Sequence, residues 1–176
     1  NAMNALAAAC IGLSLHVPVK KISAALEHVA AASKRMQVQR ISTVTVLNDT
    51  YNANPDSVLA ALATLKDIHC SGNRIAVLAD MLELGPDAES LHYGIGTAAA
   101  LNDVDVLFTF GTLAQQMHDG ATVAKKIHFA QKTDLIDELL KILTSGDAVL
   151  VKGSRGMKME EVVAVLAERL PQKGQA

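Results

Sequence analysis

Between Arg74 and Leu170 the sequence alternates short, unbroken apolar runs with longer stretches of helical periodicity, and no other feature limits the possible folds as much. The runs Ile75–Leu78, Val104–Phe108, Ile127–Phe129 and Ala148–Val151 read as strands. The stretches between and around them read as helices at roughly Asp56–His69, Asp87–Leu101, Thr112–His118, Leu135–Leu143 and Met157–Leu170. A strand that is apolar on both sides has both faces covered, and strands joined through helices run parallel. The spacing predicts an α/β fold: a doubly wound, mostly parallel sheet with helices on each face.

Ahead of this alternation, Val38 and Ile41, then Val44, Val46 and Leu47, read as two short strands joined in a hairpin. Earlier still, Asn4–Leu15 and Val19–Ala31 read as helices split at Val17-Pro18, the second with Ile22, Ala25, Leu26 and Val29 at helical spacing. This helix pair precedes the first strand and is expected to close a neighbouring domain, so the chain divides into residues 1–34 and 35–176. Asn1-Ala2 before Met3 resembles a cloning scar, and with the direct entry into a helix the chain is expected to be a piece of something longer. The tail from Pro171 is polar and reads as frayed.

Half of the residues are hydrophobic but only 3% are aromatic, so aliphatic side chains must fill the core and few rings are left for stacking on bases. With 16 basic and 18 acidic residues the net charge is −2, which gives no electrostatic reason for a nucleic-acid or membrane partner. Cys10 and Cys70 form no CxxC pair and read as free thiols of a cytoplasmic protein. The six histidines never recur at metal-ligand spacing, so no metal site is predicted. The apolar opening, residues 5–17, is broken by Gly12, Ser14 and His16 and is too short to span a bilayer.

In an open parallel sheet, ligands bind beyond the carboxyl ends of the strands. Three polar loops fall at such points: Asn48–Ser57, Ala79–Gly85 and Lys152–Lys158. In the first, Asn54-Pro55-Asp56-Ser57 is explained as a helix start. Capping does not explain Asn48, Asp49 and Asn52 at the strand end, where a carboxylate can accept both hydroxyls of a ribose. Asp49, at an open strand end, is expected to be dispensable for folding. Asp80 directly after an apolar strand is most simply a turn residue, although Asp80 with Glu83 offers carboxylates to a metal or an ammonium. Lys152-Gly153-Ser154-Arg155-Gly156 resembles an anion-binding turn that feeds a helix N-terminus. No GxxxxGK[ST] loop is present, so a triphosphate would be held elsewhere.

At these loops the sequence resembles the Mur ligases, in the branch of that family that adds a dipeptide. The likeness rests on Asn48-Asp49-Thr50-Tyr51-Asn52-Ala53-Asn54-Pro55-Asp56-Ser57, Asp80-Met81-Leu82-Glu83-Leu84-Gly85 with Leu91-His92, Val151-Lys152-Gly153-Ser154-Arg155, and Met157-Lys158-Met159-Glu160. Asn4–Ala9 and Arg35-Met36-Gln37 extend it to nearly the whole chain. It implies the Rossmann-like C-terminal domain of a three-domain enzyme, preceded by the last helices of a central P-loop ATPase domain. The implied reaction is ATP-dependent amide formation between D-Ala-D-Ala and UDP-MurNAc-tripeptide through an acyl phosphate, with Mg2+ neutralising phosphate charge. The resemblance further implies a monomer whose triphosphate and metal are held mainly by the central domain, with no catalytic set complete in this chain.

By the family pattern Asp49 holds the ATP ribose, Arg35 reaches the phosphates, and Tyr51 and Asn52 lie beside the nucleotide. Asp80, Lys152, Ser154 and Arg155 become candidates for D-Ala-D-Ala, on charge complementarity with its ammonium and carboxylate. The sequence departs from the pattern at Lys34 and Ala79, where glycine is usual, and at Tyr93, where a basic residue is common. No role is transferred to Tyr93 or His92. The competing readings are another Mur-type or a folylpolyglutamate-type ligase, which carry histidine-bearing versions of the first loop, and a non-catalytic α/β binding module.

Overall fold

The computed structural model describes residues 2–28 and 34–170. The chain separates into two compact units, Asn1–Ala32 and Ser33–Ala176. The first holds helices α1 (Ala2–Ser14) and α2 (Val19–Glu27), broken apart where Pro18 takes an extended backbone. The two helices come close at Gly12, where a Cβ would lie 2.9 Å from Cδ1 of the buried Ile22. Residues 29–31 of the expected second helix, and the tail from Pro171, fall outside the described residues.

The second unit runs β1 (Gln37–Ile41), β2 (Val44–Asp49), α3 (Pro55–Asp67), β3 (Arg74–Ala79), α4 (Ala88–Leu101), β4 (Val106–Phe110), α5 (Ala114–Gly120), β5 (Lys125–Phe129), α6 (Lys132–Ile142), β6 (Ala148–Lys152) and α7 (Glu160–Arg169). The six strands lie in the order β1-β2-β6-β3-β4-β5. β1 and β2 form the expected antiparallel hairpin, and every other neighbouring pair is parallel.

The unbroken apolar character of β6 has a direct structural meaning. Ala148 and Leu150 point to one face, where they pack with Leu62 and Leu65 of α3, Ile95 of α4 and Met117 of α5. Val149 and Val151 point to the other, against Leu135 and Leu139 of α6 and Val162 and Leu166 of α7. Burial of each Val or Leu among them stabilises the fold by roughly 1.5–3 kcal/mol, and leaving one face uncovered would expose half of the set.

Several boundaries differ from expectation, and three of the differences have a visible cause. Val104, although 5% exposed, belongs to the turn after α4, where its N–H bonds to Ala99 O; β4 begins two residues later. Thr112 and Leu113 likewise form a turn before α5. Lys158 takes a left-handed backbone (φ 49°), so Arg155–Met157 is a separate helical turn and α7 starts at Glu160.

Candidate active site

Because β6 lies between β2 and β3, the three polar loops leave adjacent strands on one rim of the sheet. The register places Asp49, last in β2, opposite Lys152, last in β6. Both are buried, at 6% and 2% exposure, and Lys152 Nζ donates to Asp49 Oδ2 at 2.5 Å and to Asn52 O at 2.8 Å. Asp49 Oδ1 accepts the Met36 N–H at 2.9 Å, which ties the segment entering β1 to the same carboxylate.

The third loop is fastened to the other two through Ser154. Its hydroxyl accepts the Leu82 N–H at 2.8 Å and donates to Ala53 O, while its own N–H reaches Asp80 O. Asp80 is 6% exposed and spends Oδ1 on the Ala114 N–H at 2.7 Å, capping α5. Gly153 is required by close approach: a Cβ there would sit 2.8 Å from both Ala79 Cβ and Met159 Cγ. His92, fully buried, accepts the Met81 N–H through Nε2 and donates to Ala88 O through Nδ1, so the bonding network assigns its tautomer.

Asp80, Lys152 and Ser154, candidates for an incoming dipeptide, all take part in these contacts. Each is turned inward and already bonded, and the three hold the loops in place. Asp49, expected to be dispensable for folding, is buried in the same layer with both carboxylate oxygens bonded.

Above this layer lie the exposed groups. The Arg35 guanidinium carbon stands 4.0 Å from the centroid of the Tyr51 ring and that of Arg155 stands 5.4 Å from it. Arg35, by hydrogen bonding and then by its charge, holds the Tyr51 phenol below its ordinary value, and Arg155 adds to the effect. Two clefts flank the stack. One, of about 230 Å³, is lined by Tyr51, Asn52, Leu82, Glu83, Ser154, Arg155 and Gly156. The other, of about 170 Å³, is lined by Lys34, Thr50, Tyr51, Arg155 and Glu160.

Reading the sequence did not find Leu82, Thr50, Lys34 or Glu160 as lining residues. Lys34 carried a signal, because it replaces a glycine of the family pattern. Its φ is 63°, the left-handed region that favours glycine, and its Nζ lies 3.1 Å from Glu160 Oε1. Ala79, the other such replacement, ends β3 in ordinary strand backbone and carries no such strain. Burial raises the Glu160 carboxyl, but bonding to its own backbone and the Lys34 ammonium outweigh this and hold it below the usual range.

Residues 34–155 match the family model described as Mur ligase, glutamate ligase domain. The chain belongs to the Mur ligase family. Its Mur relatives include the UDP-N-acetylmuramoyl-tripeptide–D-alanyl-D-alanine ligases of Escherichia coli (strain K12), 36% identical over 96% of this chain, and of Bacillus subtilis (strain 168), 32% identical over 96%. The chain spans only 37% and 38% of the length of those two proteins. A crystal structure of MurF from Acinetobacter baumannii superposes with a TM-score of 0.83 at 30% identity, covering 96% of this chain and 37% of that one. The Mur ligase resemblance read from the loops and the doubly wound α/β expectation are both upheld.

Proposed function

We propose that this chain is the C-terminal part of an ATP-dependent ligase that joins D-Ala-D-Ala to UDP-MurNAc-tripeptide in the cytoplasm, acting as a monomer. The observation that carries the reading is the Asn48–Ser57 loop, set on one rim with the Lys152–Arg155 loop, in a chain that aligns along 96% of its length with ligases of that name. On this reading the α1–α2 unit ends the preceding ATPase domain.

Arg35 and Tyr51 form the nucleotide side, with the guanidinium facing phosphate and Asn52 beside the base or sugar. Asp49 has two of the roughly four acceptor directions of a carboxylate in use, which leaves room for a ribose hydroxyl. Arg155, the exposed cation of the third loop, takes the carboxylate of the dipeptide. ATP supplies the phosphoryl group that activates the tripeptide carboxylate, and Mg2+ neutralises phosphate charge. Among the described residues no three carboxylate, imidazole or thiol groups cluster as a metal ion needs, so the metal is assigned to the rest of the parent protein.

The test is ligation by the full-length parent. ATP-dependent product from UDP-MurNAc-tripeptide and D-Ala-D-Ala is expected, and none from this chain alone, which has no P-loop. Ligation of a single amino acid or of glutamate to folate, with D-Ala-D-Ala refused, would overturn the reading. No ligation at all by the parent would favour a binding module.

A further inference from the structure

The cleft between Leu82-Glu83 and Arg155-Gly156 is lined by two opposite charges. The Glu83 carboxylate is exposed and makes no hydrogen bond or ion pair among the described residues. Arg155 is also exposed and makes no ion pair among the described residues; its guanidinium carbon stands 5.4 Å from the centroid of the Tyr51 ring. The two do not bridge each other, yet both line the same space. A volume of about 230 Å³ falls below the roughly 300–1,000 Å³ of pockets for drug-sized ligands and suits something smaller than a nucleotide.

The backbone positions from which the two side chains leave are held by covalent and hydrogen-bonded geometry. Glu83 follows Leu82, whose N–H donates to Ser154 Oγ at 2.8 Å, and Arg155 follows Ser154. Each charged residue is thus one position beyond the same hydrogen bond. Glu83 also takes φ 64°, and Gly85 φ 68°, so the loop turns through two left-handed residues just where the carboxylate leaves it. A glutamate gains nothing from that backbone, and such conformations persist where the surroundings impose them.

We propose that Glu83 and Arg155 form a charge-matched seat for a free zwitterionic dipeptide, with Glu83 taking the ammonium, Arg155 the carboxylate, and Leu82 packing on the side-chain methyls. This rests on the ligase reading above and adds to it the group that recognises the amine. The seat selects for an unblocked amino terminus, which is the end that must react.

The experiment uses the full-length parent at saturating ATP and UDP-MurNAc-tripeptide. The KM for D-Ala-D-Ala is compared with the inhibition constant of propionyl-D-alanine, which has the same shape but no amine. Wild type is expected to favour the amine at least tenfold. Glu83→Gln is expected to lose that preference while holding propionyl-D-alanine within about twofold, and Arg155→Gln to weaken both compounds alike. Retention of the wild-type preference by Glu83→Gln, equal loss of both compounds in that variant, or no effect of Arg155→Gln would overturn the seat. A wild-type parent that does not ligate D-Ala-D-Ala overturns the ligase reading itself, and does so before any variant is made.

Discussion

Asp49 and Lys152 face each other across the β2–β6 boundary as a buried ion pair, with side chains 9% and 2% exposed. Removing one partner leaves an uncompensated charge out of water, which costs about 3–5 kcal/mol. Lys152→Met is expected to lower the unfolding free energy of this chain by that amount in urea titrations, and Asp49→Asn by a similar one. The double variant is expected to recover a large part of the loss, because no lone charge remains. Additive losses would show that the pair is not the source. A nucleotide defect in an Asp49 variant must be read against this loss of stability.

Arg155 gives the sharpest functional contrast. In the parent enzyme Arg155→Ala is expected to raise the KM for D-Ala-D-Ala about tenfold or more, the scale of one lost charge-assisted hydrogen bond. The KM for ATP is expected to move much less, since Arg35 lies nearer to Tyr51, at 4.0 Å against 5.4 Å. Steady-state kinetics with each substrate varied in turn measures both, and equal shifts would remove the dipeptide role.

Tyr51 reports on its cations directly. The chain has two tyrosines and no tryptophan, so phenolate absorbance resolves them in an alkaline titration. Arg35 depresses the Tyr51 phenol, chiefly through its hydrogen bond, so Tyr51 is expected to ionise below the ordinary value near 10. Arg35→Gln is expected to return it upward. A depressed folded-state value favours the phenolate, so any linked stability appears only in alkaline solution and is lost as pH falls through the Tyr51 value. At neutral pH this contact contributes none of that linkage.

His128 predicts an acid limb. Burial, and then the neighbouring His118, push its imidazole below the ordinary value, while Asp80 and Asp119 oppose the shift. The folded state then resists protonation, so stability is complete above the unfolded value of about 6.5 and declines as pH falls below it. His128→Gln is expected to flatten the fall in Tm between about pH 6.5 and pH 5. An unchanged slope would assign the acid limb to other groups.

The sheet was legible because β6, β3 and β4 are apolar on both sides, a pattern that only two-sided cover explains. The capping of α3 was legible too: Asn54 Oδ1 accepts the Ser57 N–H at 2.8 Å and Ser57 Oγ accepts the Asn54 N–H at 3.0 Å. What could not be read was which polar groups of the rim face inward. Asp49 and Lys152 are 103 positions apart, and their pairing depends on β6 entering between β2 and β3. Strand order is set by packing, not by local spacing, so Lys152 and Arg155 look alike in sequence and differ completely in burial. The shifted start of β4 has a similar origin, since Val104 is buried in a turn and apolarity alone cannot separate turn from strand.

The last strand of the chain sits near the middle of the sheet, between the second and the third. During synthesis the growing chain first holds two separate groups of strands, β1-β2 and β3-β4-β5, with no strand in common. Residues 148–152 join them, and only then does Asp49 gain its lysine and Ser154 its bonds to the Leu82 N–H and Ala53 O. Long-range pairing of this kind is slow to form. The rim therefore comes into being at the end of folding, and a chain cut short before Ala148 would lack both the strand that joins the rim and the strand that both helical layers pack on.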